Sequence, residues 1–362
     1  LAARAAIKDV GRTLGIPLAR VNQVSAMVPE DQGILLEEAL ERSNELAQVY
    51  KADGEIKELI DLAMKIEGLA RNIGTHAAAV VIADRPIPEY VPLAKITGKD
   101  DIITQWSMND VEAAGLLKMD FLGLRNLTIL RKAIDLIEET RGEKINIQEI
   151  PLDDSAVLDL FCRGETRGIF QFESSGIRTL LQRMQPDHFG DIIATNALYR
   201  PGPLEGGMLD DYLDVKHGRK QAVYQHPVIK EILEETHGVM VYQEQVMRIL
   251  NRLGGIDLAE AYTCIKAISK KNQEIIDRQR ERFLAGATEQ GMPGGEANEL
   301  WVMITKFAGY GFNKSHSAAY ALLAYQTAYL KVHHPVQFLA ALLTSEASNT
   351  EKIVQYLKEC RE

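Results

Sequence analysis

Apolar residues recur at helical spacing through the first seventy or so positions, with breaks near Pro17 and in VPEDQG. The run GILLEEALERSNELAQVYKADGEIKELIDLAMKIEGLAR reads as a helix, a turn at Asp53-Gly54 and a second helix. The period then changes. THAAAVVIA, ending at Asp84, is a short β-rich run, IPEYVPL a proline-containing loop, DIITQWS a second strand and GLLKMDFLGL a third. From RNLTILRKAIDLIEETRG onward the pattern is almost entirely helical, with loops at IPLDD, RPGPLEGG, QHP, MPGG and GYGFNKSHS. The predicted fold class is therefore mixed and predominantly α. A helical region spans residues 1–72, a small strand-bearing piece 73–125 and a large helical region 126–362. No internal repeat or low-complexity segment is visible.

Within AGLLKMDFLGLRNL, one carboxylate, Asp120, interrupts an apolar run that reads as a buried strand. Burial of a lone charge is costly unless it is paired or binds a metal. Strict alternation places Lys118 and Asp120 on one face, so the carboxylate can bind a divalent ion while the lysine meets phosphate. The alternative is a strand-end Asp paired with Lys or capping the next helix.

Composition narrows the class only partly. The chain has 362 residues, 46% of them hydrophobic and 25% charged, enough for two or three domains with real cores. No stretch reaches the roughly 18 apolar residues of a membrane helix, and LAARAAIKDVGRTLG lacks the features of a signal peptide. It also lacks an initiator Met, and the expectation is that the chain begins inside a longer protein. Cys162, Cys264 and Cys360 are few and widely spaced, which fits a cytoplasmic location and no disulfide framework. His333 and His334, before Pro335, read as a helix C-terminus rather than a ligand pair. The net charge of −10 argues against a small nucleic-acid-binding domain, but not against a large enzyme with a basic cleft.

Four segments could carry chemistry. In GYGFNKSHSAAYALLAYQTAYLKVHHP, Gly309 and Gly311 allow a tight turn, and Ser315 or Ser317 can cap the helix that runs to Pro335. Its N-terminus, with Lys314 and His316, suits phosphate. In ALYRPGPLEGGMLDDY, Pro201 and Pro203 can stiffen a turn that presents Arg200 for bidentate phosphate contacts. In CIKAISKKNQEIIDRQRERF, Lys266 and Lys270 share a face near Lys271, and Arg278, Arg280 and Arg282 continue the charge, diluted by Glu274, Asp277 and Glu281. In VMVYQEQVMRIL, Gln243 and Gln245 offer amides near Arg248. Taken singly, each also reads as an ordinary capped helix, surface turn or solvated face.

Read together, IGTHAAAVVIA, LLKMDFLGLRNLTI, GIFQFESSGI, ALYRPGPLEGGM, GVMVYQEQVM and KFAGYGFNKSHSAAYALLAYQTAYLK closely resemble the C family of bacterial replicative DNA polymerases, the polymerase III α subunits. They follow the family's order over nearly the whole chain. The resemblance implies a template-directed nucleotidyltransferase with a polymerase-β-like palm, in which two Mg²⁺ ions serve attack of a primer 3′-hydroxyl on a deoxynucleoside triphosphate. It makes residues 1–72 thumb, 73–125 the returning palm and 126–362 fingers. It makes Asp120 the third metal-binding aspartate, and Lys118, Arg200, Gln243, Lys266, Lys270, Lys271, Lys314, Ser315 and His316 contacts to triphosphate or DNA. The first two aspartates belong to a PDxDxDF-type motif that this chain lacks, as it lacks the family's N-terminal histidinol-phosphatase-like domain. The expectation is thus an internal segment, inactive alone. Implied partners are primer–template DNA, deoxynucleoside triphosphates and, through other regions, a sliding clamp, a clamp loader and a proofreading subunit; no membrane is implied. One departure concerns nucleotide contact: where many members show RRA.GKK, this chain has IKAISKK, with Ile265 and Lys266 at the arginine positions. Alternative readings are a non-catalytic nucleic-acid-binding module derived from such a polymerase, and an unrelated helical scaffold.

Overall fold

Several helices in this chain begin where a side-chain oxygen can accept from an otherwise unpaired amide. Asp53 accepts from the backbone N–H groups of Glu55 and Ile56, so the expected turn at Asp53-Gly54 is a helix start. Ser43 accepts from Leu46 N–H and splits the single helix expected before it. Residues 36–66 accordingly form three helices, Leu36–Arg42, Asn44–Ala52 and Gly54–Ile66. A seven-residue helix cannot be separated from its neighbour by apolar period alone, but an Ser at its end marks the break.

The computed structural model describes residues 1–362 except 32, 71–73, 77, 97, 99, 201, 203, 205, 206, 309, 310, 361 and 362. It comprises two units, Leu1–Gly123 and Leu124–Glu362. In the first, helices Ala3–Thr13 and Leu18–Ala26 join the three above around Ala6, Ile7, Leu36, Leu46, Leu59 and Ile60. Among the described residues four strands follow, one more than the pattern predicts: β1 Ala79–Ile82, β2 Leu93–Lys95, β3 Ile102–Thr104 and β4 Leu117–Asp120. They form two separate antiparallel pairs, β1 with β4 and β2 with β3. β2 begins directly after Pro92, at the end of the segment expected to be loop, and is too short for alternation to reveal. A helix, Met108–Ala113, precedes β4 and contributes Val111 to a small core with Val91 and Leu116.

The β1–β4 register sets Val80 opposite Met119, Val81 opposite Lys118, Ile82 opposite Leu117 and Ala79 opposite Asp120. Opposed residues share a face. Val81 packs against the small core, whereas Val80, Ile82, Leu117 and Met119 form an apolar face that is exposed, as are Phe121 and Leu122. The expectation of a buried strand around Asp120 is therefore corrected. Of the apolar letters of GLLKMDFLGL, Leu116 enters the small core, whereas Leu117, Met119, Phe121 and Leu122 do not mark interior.

Among the described residues, the regular elements of the second unit are helices. The sequence segment from Cys264 to Phe283 is divided between two helices. Leu258–Ser269 ends in Lys270, Lys271 takes a left-handed φ of 55°, and Asn272 caps Gln273–Glu289 by accepting from Ile275 N–H. Glycine decides one crossing: a Cβ on Gly286 would collide with the backbone of Gly254. No side chain can yield there, because both partners are main chain. Gly286→Ala is expected to cost about 1–3 kcal/mol through overpacking, read as a lower thermal midpoint by circular dichroism. An unchanged midpoint would show that the two segments separate freely.

Among the described residues, no helix is long and apolar enough to cross a membrane. Cys162, Cys264 and Cys360 are free thiols, and burial in the core pushes the Cys264 thiol up to about 11.

Candidate functional site

β4 carries Asp120 to its last position, where the side chain is 47% exposed and accepts a hydrogen bond from Lys118 Nζ at 2.8 Å. Alternation alone accounts for the pairing, since residues two apart point the same way. That hydrogen bond, with the Lys118 and His76 charges, holds the Asp120 carboxyl below its ordinary range. His76 Nδ1 lies 3.9 Å from the carboxylate, a neighbour that the strand pattern could not supply because it comes from the segment before β1. A carboxylate kept ionised and solvent-facing can serve as one oxygen ligand to a hard divalent cation. Among the described residues, no cluster of three His, Cys, Asp or Glu side chains forms around it.

In the second unit, three distant stretches meet at one isolated parallel bridge between Tyr242 and Phe312. Gln243 N–H donates to Phe312 O at 2.9 Å, and Gly311 sits where a Cβ would press on Gln243 Cγ and the Phe307 ring. The Phe312 ring is covered by the Arg200 guanidinium, 4.4 Å from its centroid, and meets His316 edge-on at 5.4 Å. Arg200 Nε also donates to Ala197 O at 2.8 Å, and burial lowers the pKa of its guanidinium. Lys314 Nζ reaches Glu235 at 2.6 Å and lies 5.4 Å from the Tyr242 ring centroid. His316 stacks on Tyr320 at 4.1 Å. The structure thus brings Arg200, Gln243, Lys314, Ser315 and His316 together. The expected stiffening by Pro201 and Pro203, and the turn at Gly309, lie outside the described residues.

Capping differs from expectation. Neither Ser315 nor Ser317 caps the Lys314–His333 helix; Asn313 does, accepting from His316 N–H at 2.8 Å. Ser315 is exposed, and Ser317 is buried with its hydroxyl donating to Ile193 O. Glu244 adds a carboxylate at the same helix end, accepting from Lys314 N–H and from Asn313 Nδ2. A negative group therefore already satisfies part of that N-terminus, as its dipole favours. Gln245, weighed beside Gln243 as a reading amide, is buried. Its Oε1 accepts from Val241 and Tyr242 N–H and its Nε2 donates to Thr236, so it braces the bridge. At the far end of the helix, His333 pairs with Asp154 at 2.8 Å and His334 caps the C-terminus, its N–H donating to Leu330 O, which agrees with a structural pair.

Lys266, Lys270 and Lys271 are exposed at the end of the Leu258–Ser269 helix. Ile265 is buried in the core, so the hydrophobic residue at one of the usual arginine positions serves packing here. Arg282 is taken by Glu260 at 2.9 Å and Arg280 by Asn298 at 2.7 Å, on the next helix. The one described cluster with metal-ligand geometry is Asp187, His188 and Asp191. Its cation is already present: Lys216 Nζ lies 2.7 Å from Asp191 and 2.9 Å from Asp187. Phe312, Tyr242, Glu235, Glu244 and Asn313 escaped the sequence reading, although Asn313 before Lys-Ser-His carried an ordinary capping signal.

Comparison with known proteins gives one consistent result. Residues 126–291 match the family described as the bacterial DNA polymerase III alpha subunit finger domain, and residues 1–123 match the bacterial DNA polymerase III alpha NTPase domain. The chain is 46% identical over 369 aligned positions to the DNA polymerase III subunit alpha of Escherichia coli strain K12, which covers 99% of this chain and 32% of that protein. Identity is 47% to the Pasteurella multocida protein of the same name, over 99% of this chain and 32% of the relative. It is 45% to that of Vibrio cholerae, over 100% of this chain and 32% of the relative. The chain spans about a third of the length of these curated relatives.

Proposed function

Because the chain belongs to the bacterial DNA polymerase III α-subunit family, we propose that it forms part of a DNA-directed DNA polymerase that extends a primer in chromosome replication. Residues 1–72 are assigned to the thumb, 73–125 to the palm and 126–362 to the fingers. The observation that carries the reading is the convergence of Arg200, Gln243, Lys314 and His316 at the Tyr242–Phe312 bridge. Segments far apart in sequence bring two cations, an amide and an imidazole to one place, with aromatic rings beneath the cations.

In this reading Arg200 and Lys314 bind the triphosphate, and a phosphate takes Lys314 from Glu235. Gln243, Ser315 and His316 orient the nucleotide. The primer 3′-hydroxyl gives up its proton to solvent and its oxygen forms an ester bond to the α-phosphorus; the α–β phosphoanhydride bond breaks and pyrophosphate leaves. Much of the protein's contribution to phosphoryl transfer is positioning and charge stabilisation. Asp120 would hold Mg²⁺ as one ligand of a set completed by carboxylates from elsewhere in the complete polypeptide, which would leave Lys118 to turn toward phosphate. Bound Mg²⁺ supplies neutralisation of phosphate charge and a lowered pKa for the attacking hydroxyl. Lys266, Lys270 and Lys271 meet the DNA backbone. The bare apolar face of β1 and β4 suits coverage by further palm structure. Primer–template DNA and deoxynucleoside triphosphates are the substrates, the location is cytoplasmic, and clamp, clamp-loader and proofreading subunits are partners through other regions.

A second reading, a non-catalytic nucleic-acid-binding module, is favoured by the single carboxylate that Lys118 already neutralises. Primer extension by the complete polypeptide separates the two. Arg200→Ala is expected to raise KM for the nucleotide about 10- to 100-fold, the scale of a lost charged hydrogen bond, and Arg200→Lys to restore part of it. A complete polypeptide that binds primed DNA yet incorporates nothing, with or without Arg200, supports the module.

A further inference from the structure

The Leu258–Ser269 helix buries one side and leaves the other bare. Ala261, Cys264 and Ile265 enter the core, while Leu258 and Tyr262 are exposed, Tyr262 at 44%. Lys266 follows Tyr262 by four residues and Lys270 follows by four more, so ring and ammonium groups recur along one stripe at steps of about 6 Å. Lys266 Nζ lies 4.5 Å from the Tyr262 ring centroid. Among the described residues, Lys266, Lys270 and Lys271 have no carboxylate partner. On the same helix Glu260 is held by Arg282 and Asp257 caps by accepting from Ala259 N–H; Glu274, the acid nearest in sequence to Lys271, stands in the first turn of the next helix, and Asp277 accepts from Gln273 Nε2. Three uncompensated lysines within six residues contrast with a chain whose net charge is −10. Where the stripe ends, Ser269 Oγ contacts Ala308 O at 3.5 Å, just before the segment that leads to Phe312 and Lys314.

An exposed aromatic ring followed by cations that no carboxylate neutralises is complementary to single-stranded nucleic acid, which alternates bases and phosphates; Lys266, now against the Tyr262 ring, has to swing to a phosphate for a base to take that face. Every base offers a π-face, so stacking of this kind tolerates any sequence. A duplex hides those faces and leaves only the phosphates to the lysines.

We propose that Tyr262, Lys266 and Lys270 form a track for the unpaired template strand, with a base stacked on the Tyr262 ring and the neighbouring phosphates against the two lysines. The proposal rests on the polymerase reading and adds to it a residue, Tyr262, that grips bases rather than backbone.

The test compares two substrates with the complete polypeptide by fluorescence anisotropy: a primed DNA with a 5′ single-stranded template overhang, and a blunt duplex of the same paired length. Tyr262→Ala is expected to weaken overhang binding by at least about fivefold, the lower end of base–aromatic stacking, and to leave blunt binding unchanged. Tyr262→Phe keeps the ring and is expected to bind like the parent. Lys266→Ala and Lys270→Ala are each expected to reduce the slope of log affinity against log salt by about 0.7 on the overhang substrate. Equal affinity of Tyr262→Ala and parent for both substrates overturns the track, and so does equal weakening on both. A silent Tyr262→Ala beside an Asp120→Asn variant that no longer synthesises DNA removes the track and leaves the polymerase reading standing. A silent Asp120→Asn instead counts against that reading itself.

Discussion

Asp120→Asn in the complete polypeptide is expected to slow nucleotide incorporation by several orders of magnitude and to leave the melting profile nearly unchanged. The two effects separate because the residue is exposed and contacts only groups that tolerate an amide. Asparagine still accepts from Lys118, so the end of β4 stays in place. A neutral amide oxygen, however, is a poor ligand for a hard divalent cation and leaves phosphate charge less compensated. If Asp120 were only a strand-end partner of Lys118, incorporation would stay near the parental rate. Single-turnover primer extension is the appropriate measurement, since it reports the chemical step apart from product release. The direction of the pKa shift adds a constraint. Hydrogen bonding from Lys118 holds the carboxyl low, so protonation of Asp120 is not expected to affect the rate until pH falls below the usual carboxylate range.

The second large effect lies in the larger unit. Lys216→Met is expected to destabilise that unit by about 3–5 kcal/mol, the scale of a broken buried ion pair. The Asp191 side chain is 0% exposed and that of Lys216 is 6% exposed, and they meet at 2.7 Å. Asp191 also accepts from Tyr212 Oη at 3.2 Å and from Asp187 N–H at 3.2 Å, so the network ties together the Phe189–Leu198 and Met208–Lys216 helices. Removing the ammonium leaves a buried carboxylate without its counter-charge, which costs more than the packing of a methionine returns. Asp191→Leu combined with Lys216→Met is expected to recover much of the loss, because both buried charges are then gone and Asp187, at 75% exposure, keeps its hydration. A full additive loss in the double variant would show that the ion pair itself was not the source.

The pH dependence of stability follows from the same groups. Hydrogen bonding with Asp191, His188 and Lys216 holds Asp187 well below the carboxylate range. A carboxylate depressed on folding stabilises above its unfolded pKa of about 4, and this contribution disappears as pH falls through the lower folded value. Burial opposes the charge on Lys216, but hydrogen bonds to Asp191 and Asp187 outweigh it and raise its pKa. That contribution is present below the unfolded lysine value of about 10.4 and disappears as pH rises through the folded one. Thermal midpoints of the parent are therefore expected to be level between about pH 5 and 10 with respect to this network, and to fall in acid.

Legibility followed distance along the chain. The mostly helical class, the breaks at Pro17 and before Leu36, and the pairing of Lys118 with Asp120 all follow from contacts between residues a few positions apart. Periodicity also located β1, β3 and β4, but not β2, whose three residues are too few to show a period. Burial was misjudged around Asp120 because an apolar letter states a preference for contact, not whether a contact is made. Ser315 and Ser317 were the wrong capping residues because Asn313, one step before the helix, wins by position.

The sequence by itself determined the local periods, the chain's cationic candidates and, through six ordered stretches, the family. Only the tertiary structure decided that Arg200 and His316 meet on Phe312, that Gln245 is a brace, that Ile265 faces the core and that Tyr262 faces water. The physical reason is that spacing within a helix or strand dictates which neighbours share a face. Packing of whole elements, driven by burial of their apolar sides, dictates which faces meet.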